Sequence, residues 1–178
     1  MSNQADLLLN KPSALNEHEF IQHYKDIYEH STWVADAAWQ HIQRCPRVAD
    51  FDRRSALQAL LYEIVESRDY EVKLALLRSH PDLAGKAALS GELTPSSTSE
   101  QAGVGLDQCT PAELARFTEY NNAYKAAFDF PFIMAVKGAT KAQVLSAFES
   151  RINNNFSQEF QTAMSQVHKI AAFRLAEK

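Results

Sequence analysis

Apolar residues along the chain recur three and four positions apart, with polar residues between them, a pattern typical of amphipathic α-helices. The first such stripe follows Asn16 and Glu19, which fit an N-cap residue and its partner three positions later. The apolar positions of that stripe are Phe20, Tyr24, Ile27 and Tyr28. A second helix is predicted over Thr32–Gln43, where Trp33, Val34, Ala37 and Ala38 face inward and Pro46 follows.

Further helices are predicted along the rest of the chain from similar stripes and capping signals. Asp50 is a candidate cap for a stripe that runs from Leu57 to Val65, and another helix covers about Asp69–Arg78. Later starts are predicted at Ser97 with Glu100, at Thr110 with Glu113, at Thr140 with Gln143, and at about Ser157, where the last helix runs to Leu175.

Two segments do not fit this helical pattern. Residues 80–96 contain Pro81, Gly85, Gly91 and Pro95 and predict a long irregular stretch, and such loops in compact domains are usually functional. The apolar run Phe130–Val136 could form a buried strand, but one strand lacks partners, so an extended segment on the core is preferred. The pattern as a whole predicts an all-α fold, a single compact domain over residues 1–178 with roughly seven to nine helices.

Composition supports this interpretation and narrows the function. The chain has 178 residues, 46% of them hydrophobic, and a formal net charge of −4, which argues against a nucleic-acid partner. No apolar run approaches the roughly 20 residues of a membrane span, and no secretory signal pattern is visible. Cys45 and Cys109 have no metal-like spacing and are expected to be free thiols, which favours the cytoplasm.

Several common site types are absent from the sequence. There is no dinucleotide-binding glycine pattern, no phosphate-binding loop and no nucleophile elbow. His18 and His23 are five positions apart, so their imidazoles do not share a helical face, and no metal site is predicted.

Three groups of polar residues remain as candidates, and each also has a purely structural interpretation. His80 precedes a proline at a helix end, where it could exchange a proton or simply cap the helix. Ser97 with Glu100 could bind an anion at a helix start or only form a capping box. Arg151 and Asn154 are predicted on one helical face, where Arg151 could bind an anion or lie solvated at the surface.

Five segments of the sequence, in order, resemble the 2-oxo-4-hydroxy-4-carboxy-5-ureidoimidazoline (OHCU) decarboxylase family over about residues 15–170. The family segments are EHSPWVA, HPDLAGK, LT…SxxEQAxAGL, NxxYxxxFxFPFI and RxxN. They correspond here to Glu29–Ala35, His80–Lys86, Leu93–Leu106, Asn121–Ile133 and Arg151–Asn154. Thr32 stands where the family has proline and Val104 where it has alanine, and neither changes an expected polar group.

The resemblance implies a cofactor-free, all-helical homodimer with a helix-lined active-site cleft. The expected reaction removes CO2 from OHCU to give (S)-allantoin in urate degradation. His80 is expected to be the acid/base residue, and Glu100 to orient His80 or the ureido N–H groups. Substrate contacts are expected from Pro81, from Ser97, Thr98, Ser99, Glu100 and Gln101, from the main chain of Phe132, Ile133, Met134, Ala135 and Val136, and from Arg151.

Two other functions remain open at this point. A helical module could bind a ureide without converting it, and only turnover would distinguish the two. A metal-dependent ureide hydrolase could use His30, His80 and carboxylates, which metal analysis would reveal.

Overall fold

The computed structural model of the chain describes residues 6–85 and 91–178. Eight α-helices lie within these residues, which agrees with the predicted seven to nine. They are α1 (Glu17–Tyr24), α2 (Thr32–Arg44), α3 (Arg54–Glu66), α4 (Tyr70–Arg78), α5 (Pro95–Gly103), α6 (Pro111–Phe128), α7 (Lys141–Arg151) and α8 (Phe156–Leu175). The described residues contain no strand, only an isolated β-bridge between Leu7 and Arg53. The all-α prediction is therefore confirmed.

One compact unit of the fold comprises Met1–Lys73 with Ile170–Lys178. In this unit α1 packs on α2, and α2 packs on α3. A buried ion pair joins Glu29 to Arg174, with 2.7 Å between Oε2 and Nη1. The pair links the end of α8 to the turn that follows α1, and removing either partner would leave a buried charge uncompensated.

The other compact unit, Leu74–Lys169, contains every residue predicted for the functional site. Its core is rich in aromatic rings, and those of Phe132 and Phe148 stack with centroids 3.7 Å apart. Phe130–Val136 has no regular secondary structure and is buried apart from half-buried Met134, which confirms the predicted extended segment. That residues 1–178 form a single domain stays a prediction.

Three of the predicted helix starts are confirmed as complete capping boxes: Asn16 with Glu19, Thr110 with Glu113, and Thr140 with Gln143. The first helix is shorter than predicted, because α1 ends at Tyr24 and buried Ile27 and Tyr28 lie in the turn beyond it.

Two predicted caps are wrong. Asp50 lies in a 3-10 turn, and α3 begins later without a local side-chain cap. The Asp6 carboxylate, distant in the chain, instead accepts a hydrogen bond from the first turn of α3, from the Ser55 N–H at 3.1 Å. Ser97 does not cap α5 either, because Thr94 does so by accepting the Ser97 N–H at 3.3 Å, with Pro95 opening the helix.

Candidate functional site

His80 lies just beyond the C-terminal end of α4, and only 8% of it is exposed. Its Nδ1 atom is 3.0 Å from the carbonyl oxygen of Leu76, one turn earlier in the helix. A carbonyl oxygen can only accept a hydrogen bond, so Nδ1 must carry the proton of this bond. The contact therefore fixes the ring orientation and places the proton of a neutral His80 imidazole on Nδ1.

The loop after His80 turns tightly over Pro81–Gly85. Ala84 has a φ of +50°, which a residue with a side chain adopts only when its surroundings enforce it. At Gly85 a Cβ atom would lie 2.6 Å from the Cβ of Asp82, so glycine is required there. The Asp82 carboxylate accepts from Lys125 at 2.6 Å and so ties the loop to α6. Lys86, the last residue of the resembling segment, lies outside the described residues.

Two buried side-chain amides hold the main chain of this loop. Gln101 accepts the Ala84 N–H at 3.0 Å and donates to the Asp82 carbonyl at 3.3 Å. Asn121 donates to the Leu83 carbonyl at 2.8 Å, a role that the sequence analysis did not foresee. The other amide atom of Asn121, Oδ1, is buried and has no hydrogen-bond partner among the residues that the structure describes. A buried polar atom without a partner is destabilising.

Residues 97–101 divide between two faces of α5. Ser97 and Gln101 are buried and Glu100 is half-buried, so these three share the inward face of α5, from which Gln101 contacts the His80 loop. Thr98 and Ser99 are exposed on the opposite side. The structure therefore brings together three of the five predicted residues of this segment and directs the other two away.

Arg151, at the end of α7, belongs to a buried cluster around Glu159, and only 13% of its side chain is exposed. Its Nε atom donates to Glu159 Oε1 at 2.8 Å, and Nη2 donates to the same oxygen. Its Nη1 atom donates to the Ile133 carbonyl at 2.7 Å, and its guanidinium carbon lies 4.3 Å from the centre of the Phe132 ring. The interpretation of Arg151 as a solvated surface residue is therefore wrong.

The Glu159 carboxylate is fully buried and also accepts hydrogen bonds from Tyr124 and Asn154. Burial raises the pKa of the Tyr124 hydroxyl well above its usual range, and its bond to the Glu159 carboxylate raises it further, so this hydroxyl is a neutral donor. Glu159 is not among the site residues that the sequence predicts. The available signal was its position on a stripe with Ala163 and Val167, where a charged residue interrupts a buried helical face.

The extended segment contributes main-chain groups to the same cluster. The Ile133 carbonyl accepts from Arg151, and the Ala135 N–H donates to the Gln166 side chain at 3.0 Å. These two groups of the predicted substrate-binding main chain thus already have partners within the protein.

One face of α6 supports both the His80 loop and the Arg151 cluster. Asn121 and Lys125 contact the loop, and Tyr124, which lies between them, contacts Glu159. Side chains three and four positions apart share a helical face, so a single rigid helix fixes the two groups of predicted site residues.

The described residues, 6–85 and 91–178, contain no group of three or more His, Cys, Asp or Glu side chains arranged to hold a metal ion. No helix among them is both long enough and apolar enough to cross a membrane.

Comparison of the sequence with known proteins identifies relatives over nearly its whole length. A family model described as OHCU decarboxylase matches residues 13–176. The OHCU decarboxylase of Haloferax volcanii is 36% identical over 97% of this chain and 96% of its own length. The OHCU decarboxylase of Xenopus laevis is 31% identical over 95% of this chain and 93% of its own length.

Comparison of the fold with solved structures agrees with these matches. A crystal structure of (S)-allantoin synthase has a TM-score of 0.72 and 35% identity over 92% of this chain, which spans about half, 51%, of that longer chain. A second structure, of an OHCU decarboxylase in the presence of (S)-allantoin, has a TM-score of 0.65 at 21% identity and supports the fold alone. The chain therefore belongs to the OHCU decarboxylase family.

Proposed function

We propose that the protein catalyses decarboxylation of OHCU to (S)-allantoin and CO2 in urate degradation, without a cofactor. The observation that carries the proposal is the His80 loop, whose residues His80–Gly85 match the family segment and whose main chain is held by Gln101 and Asn121. The family match over residues 13–176 supports the same conclusion.

The chemistry of the substrate suits a site built only from protein side chains. The bond that breaks joins the carboxylate to the carbon that also bears the hydroxyl group. The electron pair of that bond moves into the adjacent C=N and carbonyl system of the substrate, which serves as its own electron sink. One proton must then be added to a single face of the carbon that bears the ureido group. The protein therefore has to bind an anion, stabilise the delocalised charge and deliver a proton.

His80 is the proposed proton donor and acceptor, through its Nε2 atom. Because Nδ1 donates to the Leu76 carbonyl, a proton can be exchanged only at Nε2 without breaking that bond. General acid–base catalysis by a positioned side chain contributes roughly 10²–10⁴-fold to a rate. Glu100 is proposed as the second catalytic residue, which orients His80 or the ureido N–H groups through its negative charge.

Arg151 is the proposed binding residue for an anionic group of the substrate. A guanidinium has five N–H donors, and three of those on Arg151 contact Glu159 and Ile133. The other two donors form no hydrogen bond within residues 6–85 and 91–178, and in this proposal they bind a planar anion bidentately.

The remaining predicted contacts complete the proposed substrate environment. Pro81, Ser97, Glu100, Gln101 and main-chain groups of Phe132–Val136 bind the ring and ureido amides in this proposal, whereas Thr98 and Ser99, exposed on the other face of α5, are left out of it. A buried amide left without a partner costs about 1–3 kcal/mol, so such contacts give selectivity for the ureide. Gln101 has a second task in the proposal, since its amide also holds the His80 loop.

We also propose that the enzyme is a homodimer of the cytoplasm. The family resemblance supports the dimer. Cys45 and Cys109, both free thiols in the structure, support a reducing compartment, since disulfides are rare there.

The decisive experiment generates OHCU freshly from urate and follows allantoin by circular dichroism. The proposed enzyme forms one enantiomer, with the signal of (S)-allantoin, faster than the spontaneous decay forms racemic product. His80→Asn is the matched control, because it keeps a polar side chain at the helix end but cannot carry the proton. Racemic product at the spontaneous rate would refute the proposal and favour a ureide-binding module.

A further inference from the structure

Glu159 is a fully buried carboxylate that the proposed reaction does not use, yet it contacts the residue proposed to bind the substrate anion. We propose that Glu159 is a positioning residue, which fixes the guanidinium plane of Arg151 and thereby sets the affinity of the site for its anionic substrate. The inference rests on the proposed function, because it needs Arg151 to bind that substrate.

The Arg151 guanidinium is held against both tilting and rotation. The Phe132 ring lies under it at 4.3 Å and fixes the tilt of the plane. Rotation within the plane is fixed from two edges: Nε and Nη2 donate to Glu159, and Nη1 donates to the Ile133 carbonyl. Without the carboxylate, the Ile133 contact is the one hydrogen bond from the described residues that would still oppose rotation within the plane.

Glu159 is itself held so firmly that it can act as a fixed reference for Arg151. The Tyr124 hydroxyl donates to Oε1 and the Asn154 amide donates to Oε2 at 2.7 Å. These donors come from α6 and from the turn between α7 and α8, so the carboxylate is anchored independently of Arg151.

Hydrogen bonds within the described part of the chain use one donor on each terminal nitrogen of Arg151, so the second donor on each is the one proposed to bind a ligand. A pair of N–H groups on Nη1 and Nη2 matches the two oxygens of a carboxylate, provided that the plane of the guanidinium is correctly turned. The OHCU carboxylate must bind before it leaves as CO2. The orientation of the Arg151 guanidinium therefore affects first how tightly the substrate binds in its ground state. Loss of Glu159 should therefore raise KM more than it lowers kcat.

The test is steady-state kinetics of Glu159→Gln, which keeps the size of the side chain and removes its charge. The expected result is a KM raised about tenfold or more, with kcat changed much less, because about one charge-assisted hydrogen bond is misaligned. Glu149→Gln is the matched control. Glu149 also accepts hydrogen bonds from an arginine and a tyrosine, Arg116 at 2.6 Å and Tyr120 at 2.7 Å. It lies on the surface, so the KM of the Glu149→Gln variant should equal that of wild type.

A double-mutant cycle separates positioning from a general structural role. If Glu159 acts through Arg151, then Glu159→Gln combined with Arg151→Lys should raise KM no further than the larger single effect. Asn154→Ala is the milder variant if Glu159→Gln does not fold. It removes only the donor to Oε2, and KM should rise about threefold if the anchored carboxylate matters.

Each outcome decides one of the two proposals. A KM equal to wild type in folded Glu159→Gln, or in Asn154→Ala if that is the variant that folds, overturns the positioning role. So do additive effects in the cycle, or an equal KM rise in Glu149→Gln. Wild-type protein that fails to accelerate allantoin formation overturns the proposed function instead.

Discussion

Replacing Arg151 with lysine tests whether this residue only binds the substrate or also supports the fold. The sequence alone predicts that Arg151→Lys raises KM and leaves stability nearly intact, since the charge is kept. The structure changes the second half of that prediction. Arg151 is the cationic partner of fully buried Glu159, so the substitution should also destabilise the fold.

The size of the effect follows from the contacts that lysine cannot make. An ammonium can replace one bond to Glu159, but its single nitrogen cannot also reach the Ile133 carbonyl and stack on Phe132. One lost bond from a charged donor, together with the stacking contact, amounts to about 2–4 kcal/mol. For a chain of this size that corresponds to a Tm lower by roughly 4–16 °C. KM should rise about tenfold or more, because the planar fork is lost.

Thermal unfolding by circular dichroism and steady-state kinetics on the same preparation would measure both effects. Arg116→Lys is the matched control, because Arg116 also pairs with a glutamate, Glu149, but in an exposed position. Exposed pairs contribute little to stability, so its Tm and KM should stay close to those of wild type. An Arg151→Lys protein with wild-type Tm would refute the structural argument, and one with wild-type KM would remove Arg151 from the binding site.

Three further substitutions test the other half of the site. His80→Asn should keep the fold but lose at least about 99% of turnover, because acid–base catalysis contributes roughly 10²-fold or more; retention of a tenth of wild-type kcat would exclude proton transfer by His80. Glu100→Gln should unfold at the wild-type temperature and be nearly inactive, because only its charge is removed; full activity would return Glu100 to a structural role. Gln101→Met should lower Tm by roughly 4–16 °C and also lower kcat, because the Ala84 N–H and the Asp82 carbonyl lose about 2–4 kcal/mol of buried hydrogen bonding; a wild-type Tm would show that the loop does not depend on Gln101.

The helices of this fold could be predicted because their signals are local. A side-chain cap and its partner lie within four residues of each other, as at Thr110 with Glu113. The cap of α3 could not be predicted in this way, because Asp6 is 49 residues distant from Ser55 in the chain. The start of α5 shows a different limit, because two local signals compete there. Thr94 followed by Pro95 is the same signal as Thr110 followed by Pro111, whereas Ser97 with Glu100 matches a capping box, and the structure uses the first.

For the site, the sequence indicates which residues could take part in the reaction, but not which residues fix their positions. His80 and Arg151 stand out because of their residue types and neighbouring motifs. Asn121 and Glu159 make their contacts 38 and 8 positions away in the chain, respectively. Neither spacing is a local pattern, and only packing brings these groups together. One segment of the family resemblance includes Asn121 and Tyr124. The structure shows what these two residues do: Asn121 holds the His80 loop, and Tyr124 donates to Glu159.

The dependence of both site clusters on α6 bears on the stereochemistry of the proposed reaction. Formation of one enantiomer requires that the group that binds the anion and the group that delivers the proton keep a fixed relation. Asn121 and Lys125 hold the loop that carries His80, while Tyr124, on the same face, holds the carboxylate that orients Arg151. Fixed dipoles and charges stabilise a developing charge without the cost of reorganising at the moment of reaction. In the proposed reaction, one turn of α6 therefore supplies both the orientation and the electrostatic preorganisation that a site built from side chains alone requires.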